Sequence, residues 1–231
     1  MKIGLLADIH GNAAALEACL LAVEEAGVTG LLVAGDFVGY YYAPDQVLAD
    51  LDRFDWVGVR GNHEDMLAAW HAGQEREEIR RRYGSGLMVA AETIDADRIE
   101  MLTTLPAHRL IEIEGTRVLL CHGTPDSTER YIYPDAPDAA FEAFRAEGAG
   151  LAVYGHTHYP HQRRLGDLQI VNPGSVGQPR NNVPGAHWAL WDTETGEIEP
   201  RVETYDMSAL LAECARRDPD LPYLVTVLTR K

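Results

Sequence analysis

The stretch Leu151-Ala152-Val153-Tyr154-Gly155-His156-Thr157-His158 decides how the chain is read. An apolar run that stops at a glycine fits a buried strand, so the two histidines fall where the strand leaves the core. Residues two apart in extended chain point the same way, which would put His156 and His158 on one face if the strand conformation continued past Gly155. Neutral imidazole is the commonest side-chain metal ligand, so an ion accounts for such a pair. Two ordinary loop histidines account for it equally well until the other strand ends are considered.

Four other strands end the same way. Residues 2–7 form an apolar run broken by Asp8-Ile9-His10-Gly11-Asn12, and Asn12 is placed to cap a helix in which Leu16, Cys19, Leu20 and Val23 recur at helical spacing up to Gly27. Residues 30–34 form a second buried strand ending at Gly35-Asp36, followed by a tyrosine-rich loop and a helix opened by Pro44. Residues 56–60 run into Gly61-Asn62-His63-Glu64, with a helix expected over 65–72. Strand-helix alternation of this kind implies a largely parallel sheet covered on both faces.

Residues 74–105 are more polar and read as surface helices. The charge run over 74–82 is expected to be a solvated face with Glu-to-Arg pairs four residues apart, a substrate-gating cap being the alternative. Residues 109–114 and 117–120 then make a hairpin about Gly115 that ends at Cys121-His122-Gly123, and a helix over 137–147 delivers the chain to the stretch quoted first. Turns at 165–167 and 193–197 make the second half more antiparallel. An amphipathic segment at 208–217 and a tail at 221–231 are expected to pack on the outside of a single domain spanning 1–231.

At 231 residues the chain is long enough to bury a substantial core, and 46% hydrophobic with 24% charged residues is ordinary for a globular protein. No apolar stretch reaches membrane-spanning length, and the amino terminus meets Asp8 too soon for a signal peptide, so a cytoplasmic location with no membrane partner is expected. Cys19, Cys121 and Cys214 are odd in number and lie in apolar segments, which suits reduced core thiols. A formal charge of −16 argues against a nucleic-acid polymer as partner. It leaves a small phosphorylated substrate open, because bound divalent cations reverse the sign locally. A homo-oligomer is compatible with this composition.

Taken together, Asp8-Ile9-His10, Gly35-Asp36, Gly61-Asn62-His63-Glu64, His122-Gly123 and Gly155-His156-Thr157-His158 place carboxylates, an amide and imidazoles at five strand ends. Ligands of open α/β sheets collect at the carboxyl ends of strands, so these residues can converge although they lie far apart in the chain. Oxygen and nitrogen donors without thiolates suit Mn, Fe, Ni or Zn. Seven donors are too many for one tetrahedral ion and about right for two.

The order of these motifs resembles the calcineurin-like metallophosphoesterase superfamily over residues 3 to about 190. Gly35-Asp36-Phe37-Val38-Gly39-Tyr40, Val59-Arg60-Gly61-Asn62-His63, His122-Gly123-Thr124-Pro125 and Asn172-Pro173-Gly174-Ser175-Val176-Gly177-Gln178-Pro179-Arg180 resemble its small prokaryotic phosphoesterases. The resemblance implies an α/β fold, a four-layer αββα sandwich of two mixed sheets with a dinuclear metal site at the strand ends. It implies one ion on Asp8, His10, Asp36 and His158, and a second on Asp36, Asn62, His122 and His156, with Asp36 bridging and manganese the first choice of metal.

The implied reaction is in-line attack on phosphorus by a water made nucleophilic between the two ions. His63, beside the ions, would act as general acid, its imidazole oriented by Glu64 or by Asp8. Arg180 is the candidate phosphate contact and Tyr40 the candidate substrate contact of the tyrosine loop, though packing over that loop is the plainer reading of Tyr40 to Tyr42. The expected substrates are small, nucleotide-like phosphodiesters or phosphomonoesters. Protein Ser/Thr phosphatase activity is disfavoured because Phe37-Val38-Gly39-Tyr40 lacks the arginine those enzymes carry after Gly-Asp. The remaining alternatives are a dinucleoside polyphosphate hydrolase, a nuclease, and a scaffold like the retromer subunit that shares the fold but has lost ligands.

Overall fold

The computed structural model describes residues 1–145 and 148–230. The first half runs β1 (Lys2–Leu6), α1 (Ala13–Glu25), β2 (Gly30–Val33), α2 (Pro44–Leu51), β3 (Trp56–Gly58), α3 (Asn62–His71), α4 (Arg76–Tyr83), α5 (Gly86–Thr93) and α6 (Ala96–Thr104). The second half runs β4 (His108–Ile113), β5 (Thr116–Cys121), α7 (Asp138–Phe141), β6 (Leu151–Val153), β7 (His161–Leu165), β8 (Leu168–Asn172), β9 (Ala186–Asp192), β10 (Ile198–Glu203), α8 (Ser208–Arg217) and α9 (Tyr223–Thr229).

Ten strands form two five-stranded mixed sheets, ordered β10-β9-β1-β2-β3 and β4-β5-β6-β8-β7. Strands β1, β2 and β3 are parallel in one sheet, and β5, β6 and β8 are parallel in the other. The hairpins β4-β5, β7-β8 and β9-β10 supply the antiparallel pairs expected of the second half.

The period of two in each strand sorts its side chains between two cores. In β1 and just beyond it, Ile3, Leu5 and Ala7 enter a cluster between the sheets, whereas Leu6 faces the opposite way among Leu16, Leu20 and Val47 of the helices. In β5, Val118 and Leu120 enter the inter-sheet cluster and Leu119 and Cys121 turn outward. In the quoted stretch, Leu151 and Val153 go inward while Ala152 and Tyr154 meet Phe141 and Phe144. The layers are therefore helix, sheet, sheet, and a thin outer cover of one short helix and loops. All three cysteines are buried and unpaired, as their apolar settings required.

Several local expectations shift. The helix expected over 65–72 begins at Asn62, because Glu64 reaches back to accept the Gly61 N–H at 2.8 Å and caps the first turn. The helix expected over 137–147 is a single turn followed by a 3₁₀ turn, Glu142–Phe144, which brings Phe141 and Phe144 onto one buried side by their three-residue spacing; Ala146 and Glu147 lie outside the described residues. The segment 74–105 is only partly a surface. Helix α4 is exposed, with Arg81 pairing three residues back to Glu78 at 2.6 Å and Arg82 four back at 4.0 Å, but α5 and α6 bury Leu87, Val89, Ala90, Ile99 and Leu102.

The tail reaches the site from outside the sandwich, although Lys231 itself lies outside the described residues. Cys214, Leu224, Val227 and Leu228 bury against Tyr40 and Tyr41, and the Tyr41 hydroxyl donates to the Leu224 carbonyl at 3.2 Å. Asp218 accepts from Tyr42 at 2.8 Å and from the hydroxyl and amide of Ser85 at 2.8 and 3.0 Å, tying the tail to the tyrosine loop and to the start of α5. No helix among the described residues is long and apolar enough to cross a membrane.

Candidate metal centre

Five of the parallel strands, β1, β2, β3, β5 and β6, each deliver one part of the centre from the carboxyl end. Asp8 and His10 follow β1, Asp36 follows β2, Asn62 opens the helix after β3, His122 follows β5, and His156 and His158 follow β6. All seven side chains are buried. Six of the nine described non-glycine residues with positive φ are Asp8, His10, Asp36, Tyr40, His156 and His158, at 49° to 67°. A left-handed residue with a Cβ costs about 1–2 kcal/mol, so strain is concentrated where the ligand atoms are aimed.

This strain overturns the expectation that His156 and His158 share one face. Strand β6 ends at Val153, and left-handed backbone at both histidines sends their rings apart. One group of ligand atoms, close enough to hold an ion, comes from Asp8, His10, Asp36 and His158, and another from Asp36, His122 and His156; within each group the atoms lie within 4.8 Å of one another. Asn62 Oδ1 joins the second group at 3.0 Å from His122 Nε2.

Backbone carbonyls fix the tautomer of three imidazoles. His10 Nδ1 faces the Val38 carbonyl at 3.2 Å, His122 Nδ1 faces Ala34 at 2.7 Å, and His158 Nδ1 faces Gln178 at 2.6 Å. A carbonyl only accepts, so in each neutral ring the hydrogen sits on Nδ1 and Nε2 keeps its lone pair. His10 Nε2 and His158 Nε2, in rings that burial keeps neutral, stand 3.2 Å apart with lone pair facing lone pair. His122 Nε2 stands 3.2 Å from Asp36 Oδ2 and 3.1 Å from His156 Nδ1. Asp8 Oδ2 is buried without a hydrogen-bond partner. Acceptors facing acceptors in a dry interior are unfavourable, and a cation between them removes the conflict. The residues fit a metal pair.

The carboxylates are held from behind. Burial raises Asp8, with the Asp36 charge adding to it, up to about 7. Asp36, although buried, is held well below the usual carboxylate range by His122 and His63. Its Oδ1 accepts the His63 N–H at 2.9 Å at the amino end of α3, where the helix dipole also favours negative charge. Gly61 makes this approach possible, since a Cβ there would lie 2.1 Å from Asp36 Oδ1. The turn 172–180 braces the Asp8 side. Ser175 Oγ donates to the Asp8 carbonyl at 2.7 Å, the Gly177 N–H donates to the same oxygen at 3.0 Å, and Asn172 donates to Gly155 at 2.7 Å.

His63 stands beside the ligand cluster with its Nδ1 buried and unpaired. Neither residue expected to orient it does so. The Glu64 carboxylate accepts the N–H groups of Asp36, Phe37 and Gly61, and Asp8 Oδ1 accepts the His156 N–H. The ring is instead held by aromatic contact with His10, Tyr40 and Tyr83, at centroid distances of 4.6, 4.8 and 5.2 Å. Tyr40 has His10, His63 and Tyr83 around its ring and is 7% exposed, so it offers no open face for stacking. Its hydroxyl accepts from Arg180 Nη2 at 3.1 Å, and Gln178 Oε1 accepts from the same nitrogen at 3.2 Å. Arg180 Nε is buried with no partner.

A match to the calcineurin-like phosphoesterase superfamily domain extends over residues 1–196 and takes in every one of these residues. The chain belongs to that superfamily. It is 28% identical over 224 residues to an uncharacterised protein of Methanocaldococcus jannaschii, a match covering 89% of this chain and 88% of the relative. The phosphodiesterase YfcE of Escherichia coli is 24% identical over 82% of this chain and 87% of its own length. The crystal structure of a metallophosphoesterase from Sphaerobacter thermophilus superposes with a TM-score of 0.79 at 27% identity, covering 100% of this chain and 98% of the other. This calcineurin-like phosphoesterase is a hydrolase of a family that depends on two metal ions.

Sequence reasoning overlooked three features. The carbonyls of Ala34, Val38 and Gln178 left no trace in residue type. The backbone-holding role of Glu64, a residue the sequence offered only as an orienter of His63, had a trace, its place three residues after Gly61 at a helix start. Tyr131-Ile132-Tyr133 had one too, an aromatic alternation in the loop after His122; Tyr131 lies over the His156 ring at a centroid distance of 3.9 Å.

Proposed function

We propose that the chain hydrolyses small, nucleotide-like phosphodiesters or phosphomonoesters in the cytoplasm, using two divalent ions. Asp8, His10, Asp36 and His158 would hold one ion and Asp36, Asn62, His122 and His156 the other, with Asp36 between them. The observation that carries this reading is the convergence of His10 Nε2 and His158 Nε2 to 3.2 Å while their Nδ1 atoms face carbonyls. The mixed nitrogen and oxygen donors favour Mn, Fe, Ni or Zn, with manganese the first to try. When bound, such a pair supplies Lewis acidity that lowers the pKa of water toward ~7 and offsets phosphoryl charge.

The chain's own residues do the rest. His63 donates a proton to the leaving oxygen. Burial holds its imidazole down to about 4, against the pull of Asp36, so it is neutral at rest and takes up its proton when phosphoryl charge arrives beside it. Arg180 grips a phosphoryl oxygen with the N–H groups that Tyr40 and Gln178 leave free, and Tyr40 acts by steadying that guanidinium.

Metal analysis of the purified protein, followed by assays on mononucleotides, cyclic nucleotides, dinucleoside polyphosphates and phosphopeptides with each metal, tests this reading. Two equivalents of transition metal with turnover of small esters is the expected result. Absence of stoichiometric metal, or turnover of phosphopeptides alone, would overturn it.

A further inference from the structure

After leaving His122 at the site, the chain passes Tyr131-Ile132-Tyr133 along the rim beside His156. Neighbours along this loop alternate in burial, Ile132 inside and the two tyrosines outside. Ile132 is buried among Phe141, Phe144 and Tyr154, and its carbonyl accepts the Tyr154 hydroxyl at 3.2 Å. Arg163 fixes the residues that follow, donating to the carbonyls of Pro134 at 3.1 Å and Ala136 at 3.0 Å. Tyr131 and Tyr133 therefore project from an anchored backbone.

Their rings stack with centroids 5.5 Å apart and planes 7° apart, yet Tyr131 is 46% and Tyr133 42% exposed. An ordered aromatic pair left this open presents apolar surface to water unless a ligand covers it. The pair abuts the candidate metal centre through the Tyr131 contact with His156, so the group best placed to cover it is whatever the phosphoryl group carries. With a net charge of −16, the surface as a whole repels an anionic substrate, and recognition falls to local cations and to contacts that do not depend on charge. Stacking of a planar ring is such a contact. Arg180 lies close enough to Tyr131 to act on its hydroxyl, which puts a phosphate grip and an aromatic step side by side.

We propose that Tyr133, backed by the Tyr131 ring that lies between it and His156, forms a stacking platform for the base of a nucleotide ester, making this phosphoesterase selective for nucleotides over esters that lack a base. The proposal rests on the small-ester reading given above. It assigns to this rim the role that the enclosed ring of Tyr40 has no free face to perform.

The test is a matched pair of substrates, adenosine 5′-monophosphate and ribose 5-phosphate, together with their methyl diesters, assayed on manganese-loaded protein of verified metal content. The wild type is expected to prefer the nucleotide, and Tyr133→Ala to cut the nucleotide-to-ribose ratio of kcat/KM by roughly 5- to 150-fold, mainly through KM. Tyr133→Phe keeps the ring and is expected to keep the ratio. A wild type without preference, or an unchanged ratio in Tyr133→Ala, overturns the platform. If neither ester turns over, the small-ester reading fails separately, and calorimetric titration with the same two compounds decides the platform: tighter nucleotide binding lost in Tyr133→Ala upholds it, and equal affinities overturn it.

Discussion

Glu64 holds Asp36 by the backbone. Its Oε2 accepts the Asp36 N–H at 2.9 Å and the Gly61 N–H at 2.8 Å, while Oε1 accepts the Phe37 N–H at 2.9 Å. The loop after β2 and the first turn of α3 thereby become one unit, and Asp36 returns the link by accepting the His63 N–H. Burial and the Asp36 charge push Glu64 up to about 7, the cost of keeping a carboxylate there. Glu64→Gln preserves size but turns an amide NH₂ toward backbone donors. It is expected to weaken metal binding about 10- to 100-fold in a chelator competition, with helical content retained. Unchanged affinity would mean that Glu64 only caps α3.

His63 touches the ligand cluster by ring contact with His10 and supplies none of its donor atoms. His63→Ala is therefore expected to lower kcat roughly 10²- to 10⁴-fold while both metals stay bound. Gly39 offers an independent check, since it has φ +95° and a Cβ there would lie 1.9 Å from His63 Nδ1. Gly39→Ala is expected to displace the ring and lower kcat with no donor atom removed. Turnover equal to wild type in His63→Ala would remove the proton-donating role.

Much of this was legible because the ligands are polar residues within a few positions of the end of an apolar run, as in Val33-Ala34-Gly35-Asp36. Strand periodicity reports which face is buried, so the strands and their helical covers followed from local pattern, whereas the division into two mixed sheets was implied only by the family resemblance. What periodicity cannot report is backbone that leaves the regular regions. The left-handed turns at His156 and His158 divide two histidines that an extended chain would have kept together. Nor does residue type reveal where a tail docks: α9 became part of the tyrosine loop through the Tyr41 contact with Leu224, a pairing 183 positions apart. The exposed Tyr131 and Tyr133 were overlooked because a loop lacks a pattern against which an aromatic residue stands out.

Arg180 is braced on three sides, by Tyr40, by Gln178 and by Arg230, whose guanidinium donates to the Arg180 carbonyl at 2.9 Å. A charged hydrogen bond to a substrate oxygen is worth about 1.5–3 kcal/mol, so Arg180→Ala is expected to lower kcat/KM roughly 10- to 150-fold. Arg180→Lys keeps the charge but loses the planar fork that Tyr40 and Gln178 align, and is expected to recover little of the loss. Recovery by lysine to near wild-type kcat/KM would show that charge alone matters at this position.

His122 sets the pH dependence of metal uptake. Burial alone would strip its proton, yet the Asp36 carboxylate 3.2 Å away, helped by Asp8, pushes it up to about 10. In metal-free protein at neutral pH the ring therefore carries a proton on Nε2 as well as on Nδ1, and an incoming ion must displace it. Calorimetry of manganese binding at pH 7, repeated in buffers of different ionisation enthalpy, is expected to report release of at least one proton, with a further fraction from Asp8. The same pairing has a stability consequence with a definite sign. A histidine raised above its ordinary 6.5 contributes stability that is fully present below that pH and is lost as pH climbs through about 10. Metal-free protein is thus expected to lose thermal stability between pH 7 and 10, whereas metal-loaded protein, whose His122 holds an ion in place of the proton, is expected to lack that loss. Metal uptake without proton release, or parallel stability curves for the two forms, would contradict His122 as a ligand.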